Sequence, residues 1–582
     1  MRIVSSRIVG LSMICVLLAS AYASAQSATA SYAPVTQDML VDPPESDWLM
    51  WRRTYNHWGH SPLDQINGSN VAGLRLAWAW TMEAGKQETT PLVHDGIMFL
   101  VQSCDFVEAL DVRDGSRIWE YRRPRVDHAA IQACANRNGA LYDDKLIIGT
   151  HDAFLVALNA LTGAVEWEEQ VGDWTIGHHY SGGPQVINGR VVAGMSGCYQ
   201  INSGCWISAH DVETGDEVWR RHTIPQPGEF GYDTWGDVPD ERRRGGSAWN
   251  APSYDPELNL IYIGVGVPIP WGSVQRGTGD GDVLYTNSTL ALDADTGEIA
   301  WYFQHLPNDE WDLDHPFARL LVETAVAPNP DVVEWLNTSV TPGERRKVVT
   351  GIPGKTGIIW TLDAATGDFL WARSTNYQNV VVDVDAESRR VILNPAIKQA
   401  EIGEPVFVCP TATGGINWQA VAYHPSTNAL YAPTNNTCMN LTLNQLQPTI
   451  GAHHGSARIM PAQRPDGDDL VGQFMAVDVA TGETRWVHRQ RAGIGGSVLT
   501  TNGGLVFVTD DDRRFRAFDA ETGDILWEQI LNSSAGGYPV SYMVDDVQYV
   551  AIAAGGGVNY RRYTREIRQP SGGNMLFVFR LP

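Results

Sequence analysis

The eleven residues from Ala517 to Trp527 read AFDAETGDILW, and the pattern they form recurs along the chain. Each copy begins with a small residue, continues to Asp or Asn, and places a glycine four residues before a tryptophan. The other full copies are Ala109–Trp119, Ala157–Trp167, Ala209–Trp219, Ala291–Trp301, Thr361–Trp371 and Ala476–Trp486. A degenerate eighth copy is Leu74–Trp78. Tryptophans in one register after the same turn indicate a repeat architecture, whereas a single tryptophan would be an ordinary core residue.

The copy at Ala517–Trp527 predicts an antiparallel meander. Asp519 opens a tight turn by accepting hydrogen bonds from backbone N–H groups, and Gly523 closes it with a positive φ. The flanking residues predict strands over Leu505–Thr509 and Phe515–Phe518 and a third strand from Ile525. Because a single four-stranded sheet cannot bury both of its faces, the sheets must stack in a ring. We therefore predict an all-β fold, an eight-bladed β-propeller with tryptophan-docking repeats.

The two ends of the chain predict how the ring closes. Trp78 marks a blade near the start, and Met575–Arg580 reads as a lone strand at the end. Pairing the two in one blade removes a sheet edge that would invite aggregation. The long interval between Trp371 and Trp486 predicts an insertion on a loop face, where propellers often carry function.

The first residues predict export. Two arginines precede the apolar run Ile8–Ala21, and a small-x-small site follows at Ala23–Ala25. We expect residues 1–25 to be a signal peptide, residues 26–582 to form one propeller domain, and the protein to be periplasmic. A net charge of −25 argues against nucleic-acid binding. Attraction of a basic partner and plain solubility both remain open as reasons for that charge.

Of the seven cysteines, six lie outside the apolar N-terminal run. An even number in an exported chain predicts disulfides, although the sequence does not fix their connectivity. The pairs we expect are Cys198–Cys205, Cys409–Cys438 and Cys104–Cys134. The sequence has no Cys-x-x-Cys-His motif, so we expect no c-type haem on this chain.

The tryptophan-bearing repeat resembles the tryptophan-docking motif of the quinoprotein alcohol dehydrogenases that depend on pyrroloquinoline quinone (PQQ). Ser61–Asn67 with Leu76–Trp78 looks like their N-terminal signature, and Gly343–Arg346 and Asn376–Asn379 are similar to the sorbose/sorbosone dehydrogenase branch. The resemblance implies oxidation of an alcohol, polyol or sugar by hydride transfer to PQQ. It also implies that electrons pass to an external, soluble c-type cytochrome.

Carried over residue by residue, the resemblance implies a set of cofactor-binding positions. Glu88 falls beside the quinone, and Arg137 matches an arginine that pairs with a PQQ carboxylate, which its planar fork suits. Lys355 matches a cation that bonds the reactive quinone oxygens, where charge develops during hydride transfer. The remaining positions are Ser181, Ser196, Gly197, Asn417 and Trp418.

The family's catalytic base is an aspartate, which we assign to Asp282, with Asp280 as the alternative. It would take the hydroxyl proton while hydride leaves the carbinol carbon. The same Asp282 is the expected protein ligand of a Ca²⁺ ion. The cage around that ion is depleted, because the family's glutamate falls on Tyr199 and its asparagine falls near Ala248.

Two further departures from the family pattern concern the residues that face the quinone. The family has two adjacent cysteines there, whereas Cys134 is followed by Ala135. The tryptophan that floors the quinone has no clean counterpart, and Trp235 and Trp249 are the candidates. The competing hypotheses are a non-catalytic propeller scaffold and a PQQ enzyme acting on secondary or polymeric alcohols.

Overall fold

Strands make up most of the computed structural model, which describes residues 32–126, 134–200, 204–446, 457–556, 560–568, 570 and 573–582. In this described part, eight sheets of four or five strands each contain one tryptophan of the repeat. We number these sheets as blades 1 to 8, from the sheet of Trp119 to the sheet of Trp78. The predicted signal peptide lies outside the described residues.

The first four blades are regular antiparallel meanders of four strands. Blade 1 contains Leu92–His94, Ile97–Gln102, Phe106–Asp111 and Arg117–Arg122. Blade 2 contains Ala140–Tyr142, Lys145–Gly149, Phe154–Asn159 and Val165–Gln170. Blade 3 contains Gln185–Ile187, Arg190–Gly194, Trp206–Asp211 and Glu217–His222, and blade 4 contains Ser253–Asp255, Leu260–Gly264, Ser288–Asp293 and Ile299–Gln304.

The other four blades include those with an added strand and the blade that closes the ring. Blade 5 contains Leu320–Val326, Glu344–Gly351, Ile358–Asp363 and Phe369–Ser374, with the edge strand Trp335–Leu336. Blade 6 contains Ala422–His424, Ala429–Asn435, Gly472–Asp478 and Thr484–Gln490. Blade 7 contains Leu499–Thr501, Leu505–Thr509, Arg514–Asp519 and Ile525–Ile530, with His60–Ser61 added in parallel. Blade 8 contains Val540–Val544, Val547–Ala554, Asn574–Arg580 and Arg75–Met82.

Short helices and small sheets lie outside the eight blades. The α-helices of the described part are Gln37–Val41 and Ser273–Arg276, and none of its helices is long and apolar enough to span a membrane. Single 3₁₀ turns lie at Val71–Gly73, Trp174–Ile176, Tyr232–Trp235, Asp240–Arg242, Pro395–Ile397 and Tyr560–Arg562. Small sheets pair Arg244–Gly245 with Pro268–Ile269, Val381–Asp385 with Arg390–Leu393, and Pro405–Val408 with Cys438–Leu443, which also pairs with Ala457–Ala462.

Most repeat tryptophans pack on the glycine turn of the next blade. The Asp519 carboxylate accepts the backbone N–H groups of Glu521 and Thr522, both at 2.9 Å, as the sequence predicted. Gly523 has φ +76°, and a Cβ on it would lie 2.6 Å from the ring of Trp486. The indole N–H of Trp486 donates to the Ala520 carbonyl at 3.0 Å. Removing such an indole would cost roughly 3–5 kcal/mol, as for other buried aromatic side chains.

The same contact closes the ring. Trp527 of blade 7 donates its indole N–H to the Leu74 carbonyl, at the entrance to blade 8, over 3.3 Å. Trp78 of blade 8 donates to the Val112 carbonyl of blade 1 over 3.0 Å. The strands Arg75–Met82 and Asn574–Arg580 pair antiparallel, as predicted from the two chain ends. The β-propeller fold is thereby confirmed.

The three predicted disulfides are all formed. Cys104–Cys134 joins the loop within blade 1 to the connection that leads to blade 2. Cys198–Cys205 closes a loop of blade 3. Cys409–Cys438 holds together the two halves of the insertion predicted between Trp371 and Trp486, next to the strand pair in which Val408 faces Met439.

The segment Val35–Ile66 contacts every blade. Arg52 in its middle is completely buried and donates to the main-chain carbonyls of Val421 and Val498, each at 2.8 Å. Other hydrogen bonds of the segment reach Val93, Asp143, Val186, Tyr254, Leu321, Tyr423, Thr500 and Gln548, which represent blades 1 to 8 in order. We call this segment the hub.

The alternation of strand direction separates two kinds of loop. In each blade the turns after the first and third strands lie at one end, and the tryptophan-docking turn is of this kind. The connection between the second and third strands lies at the other end, together with the connection from the fourth strand to the next blade. The inserted sheets, in residues 376–421 and 436–471, also belong to this second end.

Removal of the last strand should destroy the cooperativity of the ring. A chain that ends at Gly572 lacks Asn574–Arg580, the strand that pairs with both Val547–Ala554 and Arg75–Met82. We expect its unfolding in urea, followed by circular dichroism, to lose the single sharp transition. A chain that ends at Arg580 is the control and should unfold like the full chain. Equal transitions for all three chains would show that this strand does not close the ring.

Candidate active site

A cavity of about 220 Å³ lies where the connections between successive blades meet. Six consecutive connections, from the one between blades 8 and 1 to the one between blades 5 and 6, each contribute lining residues. One example from each is Glu88, Arg137, Ser181, Trp249, Asp312 and Trp418. Loops from six blades can meet only close to the axis of the ring. The cavity is therefore at the second end of the propeller, opposite the tryptophan-docking turns.

Most of the predicted cofactor-binding residues line this cavity, namely Glu88, Arg137, Ser181, Ser196, Lys355, Asn417 and Trp418. Gly197 is not among the lining residues. Its φ is +77°, and a Cβ on it would lie 1.9 Å from the Gly177 carbonyl and 2.5 Å from Nδ1 of His179. Gly197 is thus required for close backbone passage behind His179, which does line the cavity.

Glu88 and Arg137 form a buried ion pair in the wall. Oε2 of Glu88 lies 2.6 Å from Nη2 of Arg137, and the two side chains are 1% and 7% exposed. Nη1 of Arg137 donates to the Ser181 carbonyl at 3.0 Å, while its Nε has no hydrogen-bond partner among the described residues. The guanidinium lies 4.7 Å from the ring centre of Trp249. The pair is therefore rigidly placed and leaves one buried donor free.

The structure chooses between the two tryptophans considered for the floor of the site. Trp249 lines the cavity and packs edge-on against Phe317. Trp235 is buried in a separate cluster with Ile224 and Val283, where its indole N–H donates to a main-chain carbonyl. Trp249 is consequently the flat aromatic surface available to a ligand.

Asp282 does not line the cavity, so the geometry does not support its assignment as base and metal ligand. Its loop is pinned outward, because the backbone N–H of Val283 donates to the Thr234 carbonyl. The Asp282 carboxylate is 36% exposed and pairs with Arg390 of the inserted hairpin at 3.1 Å. It borders a surface groove of about 710 Å³ instead. The alternative, Asp280, is an exposed partner of Lys398.

Two other carboxylates take the place that Asp282 was expected to fill. Asp312 and Asp314 line the cavity from the connection between blades 4 and 5. Nζ of Lys355 lies 3.1 Å from Oδ2 of Asp312 and 2.8 Å from Oδ2 of Asp314. Oδ1 of Asp314 accepts the backbone N–H of Val267 at 3.0 Å. Both oxygens of Asp314 are therefore engaged.

Asp312 combines an unusual backbone conformation with a raised pKa. Its backbone is held at φ +62°, a conformation that is unfavourable for a residue with a side chain and that often occurs at functional sites. Burial raises the pKa of its carboxyl well above the ordinary range, the charge of Asp314 adds to the rise, and Lys355 opposes it. A carboxylate with a raised pKa is a stronger proton acceptor.

A signal in the sequence could have found these acids. Residues 309–314 carry four acids in six positions, directly after the blade with Trp301. Glu88, Arg137 and Trp249 occupy equivalent connections, each after the fourth strand of a blade. Asp282 lies before the repeat Ala291–Trp301, whereas Asp312 and Asp314 lie in the connection that follows this repeat.

Comparison with known proteins agrees with this geometry. The sequence profile for the β-propeller domain of the PQQ-dependent glucose, ethanol and alcohol dehydrogenases matches residues 48–376 and 476–550. The chain belongs to this family of PQQ-dependent dehydrogenases. The quinoprotein alcohol dehydrogenase PedH of Pseudomonas putida is 31% identical over 95% of this chain and 95% of its own.

Solved structures extend the likeness to the fold of the dehydrogenase. A quinohemoprotein alcohol dehydrogenase from Comamonas testosteroni superposes with a TM-score of 0.83 at 30% identity, covering 97% of this chain and 84% of that one. A europium-containing methanol dehydrogenase superposes with the same score at 27% identity, covering 94% of this chain and all of the other.

The cavity of the dehydrogenase fits PQQ, a flat tricyclic quinone with three carboxylates. Lys86, Arg137 and Lys355 give its wall three cationic side chains, and the unpartnered Nε of Arg137 is a donor without a protein acceptor. Trp249 and Trp418 contribute aromatic surface, and serine hydroxyls add small polar groups. These groups match the charge and the shape of the cofactor.

The donor set does not fit a calcium cage. Calcium takes six to eight oxygen ligands. Of the three carboxylates that line the cavity, Asp312 and Asp314 are held by Lys355, and Glu88 is paired with Arg137. Tyr199, where the family's glutamate was expected, lines the cavity as a phenol, and burial raises its pKa. No group of three or more His, Cys, Asp or Glu residues able to hold a metal occurs within the described ranges.

The buried ion pair yields a prediction for the PQQ-free dehydrogenase. Arg137→Gln leaves the Glu88 carboxylate buried without its partner, so the free energy of unfolding in urea should fall by about 3–5 kcal/mol. Arg122→Gln is the matched control, because its pair with Glu83 is largely exposed and should change that free energy by less than about 1 kcal/mol. Similar losses in the two variants would contradict the argument.

Proposed function

We propose that this dehydrogenase is exported to the periplasm, after removal of residues 1–25, and oxidises an alcohol with PQQ bound in the central cavity. The observation that carries the proposal is the meeting of Asp312, Lys355 and Arg137 in one small cavity walled by Trp249. Acid–base, cationic and aromatic groups converge there, as oxidation of a hydroxyl group by a bound quinone requires.

The wall would hold the cofactor through groups already in place. Arg137 would meet a carboxylate of PQQ with its free Nε, while Glu88 keeps the guanidinium fixed. Trp249 would pack on one face of the flat ring system. When bound, PQQ supplies an ortho-quinone that accepts hydride from the carbinol carbon. Lys355 would place a positive charge beside the quinone oxygens without any rearrangement.

Asp312 would perform the proton transfer. Oδ2 of Asp312 is held by Lys355, and Oδ1 has no hydrogen-bond partner in the described part of the chain, so Oδ1 would accept the substrate hydroxyl proton. The neighbouring Asp314 has no free oxygen and would serve to fix the loop. Asp312 is thus proposed as the catalytic base in place of Asp282.

The substrate proposed is an alcohol, polyol or sugar, and the acceptor proposed is an external, soluble c-type cytochrome. The curated relatives named above are alcohol dehydrogenases, which supports the alcohol. The formal net charge of the sequence, −25, supports a basic redox partner, since opposite charges speed encounter.

The central test compares PQQ content with turnover in the same preparations. PQQ-loaded wild type should reduce an artificial acceptor with primary alcohols, polyols or sugars as donors. Asp312→Asn keeps the shape of the side chain but removes the base, so turnover should fall by about 10²-fold or more with PQQ content unchanged. Full turnover in Asp312→Asn would show that the base lies elsewhere.

Asp282→Asn is the matched control. Its carboxylate lies outside the cavity, in a pair with Arg390, so turnover should stay within about twofold of wild type. Failure of the wild type to take up PQQ at all would instead favour a non-catalytic propeller.

The raised pKa of Asp312 predicts a pH dependence. Only the ionised carboxylate can accept a proton, so kcat/KM should fall as the pH is lowered through the pKa of Asp312. Because burial raises that pKa, the acidic limb should lie above the usual carboxyl range near about 4. A pH–rate profile of PQQ-loaded protein measures it, and Asp282→Asn should show the same limb. A rate independent of pH down to about 4 would contradict the assignment.

A further inference from the structure

The ammonium group of Lys355 is saturated by a single loop. Its three donors reach Oδ2 of Asp312, Oδ2 of Asp314 and the main-chain carbonyl of Asp312, at 3.1, 2.8 and 2.9 Å. Its side chain is 6% exposed. A lysine normally extends to water, so this one is committed to holding the acidic loop in place.

The partners of Lys355 are the kind of oxygen set that a hard metal ion selects. Two carboxylates and one main-chain carbonyl converge on one point, as they do around bound calcium. Here that point is occupied by a nitrogen with one positive charge. A second cation on the same carboxylates would lie a few ångströms from the buried ammonium, where repulsion between like charges is strong.

The other side of the loop offers no compensating anion. Oδ1 of Asp314 is already used by the backbone N–H of Val267. Tyr199 and Ser247, which line the cavity nearby, are neutral side chains. Of the carboxylate oxygens on this loop only Oδ1 of Asp312 remains, and the other carboxylate of the cavity, Glu88, is paired with Arg137. The described residues therefore fall far short of the six oxygens that calcium needs.

We propose that Lys355 is the resident cation of this site, so that the protein binds PQQ and works without a bound metal ion. The inference deepens the proposed function and rests on it for the identity of the cofactor. In this arrangement the ammonium fixes the position of Asp312 and supplies the positive charge beside the quinone.

The first test uses the full-length protein without PQQ. Calcium binding is measured by calorimetry, and terbium binding by luminescence excited through nearby tryptophans. The wild type should bind neither ion in the cavity. Lys355→Met removes the charge but keeps much of the volume, and the two freed carboxylates should then bind terbium measurably. Binding of either ion to the wild type, lost in Asp312→Asn, would overturn the proposal.

The second test titrates PQQ into the wild type after treatment with EGTA, with no metal, with millimolar Ca²⁺, or with La³⁺. The dissociation constant from absorbance should agree within about twofold in the three conditions. Tightening by about tenfold or more with either ion would overturn the proposal. These measurements need only the wild type, so they decide the matter even if Lys355→Met fails to fold.

Lys145→Met provides the matched control. Lys145 is equally buried and lies 3.3 Å from Asp144 and 3.0 Å from Glu213, but it starts a strand of blade 2 at the end opposite the cavity. Lys145 also faces Asp143 and Glu166, so its removal frees an acidic cluster of its own, and this variant is compared by PQQ binding alone. Its PQQ affinity should equal that of the wild type with and without added metal, and a metal-dependent PQQ affinity in this variant would count against the proposal.

The experiments distinguish a failure of the proposed function from a failure of the metal-free role of Lys355. Absence of PQQ binding under every metal condition would contradict the proposed function. The calcium and terbium measurements on the PQQ-free protein would still decide the role of Lys355.

Discussion

The contact on which the structure depends is a tryptophan lying against a glycine turn of the neighbouring blade. A Cβ at Gly163 would sit 2.5 Å from Trp119, and one at Gly297 would sit 2.4 Å from Trp219, so only glycine allows the approach. The indole N–H also satisfies a main-chain carbonyl, as in Trp119 to Ala160 at 2.8 Å. Because each blade is fixed to the next in this way, side chains from six different connections can be assembled within one cavity.

The fold could be read from the sequence because its determinants are local and repeated. Asp519, Gly523 and Trp527 lie within one turn and its flanking strands, and their chemistry requires no knowledge of the rest of the chain. Two junctions depart from the pattern. Trp527 donates to the Leu74 carbonyl, and the degenerate copy Leu74–Trp78 has no docking glycine. The indole nitrogen of Trp371 has no partner among the described residues, and Val333, next to the extra edge strand of blade 5, lies against Gly482.

The sequence indicated only those residues of the site that lie in motifs shared with the family. Glu88, Arg137 and Lys355 lie together in one cavity, and their contacts with a cofactor are proposals. Asp282 lies outside that cavity, and the sequence did not show this because the connections have irregular lengths and no period indicates which loop turns inward. Its loop is tied to Thr234 by long-range hydrogen bonds that a sequence does not reveal, whereas the loop of Asp312 is drawn inward by Lys355.

The hub limits how such a ring can change during evolution. Gain or loss of a blade by duplication or deletion of a repeat would be tolerated by the tryptophan contact alone, since most junctions are alike. The segment Val35–Ile66 offers a separate, dissimilar partner to each blade, from Asp143 in blade 2 to Gln548 in blade 8. A ring with one repeat more or fewer would leave part of that segment, including the buried Arg52, without its acceptors. The hub, about thirty residues that belong to none of the repeats, therefore constrains the number of blades.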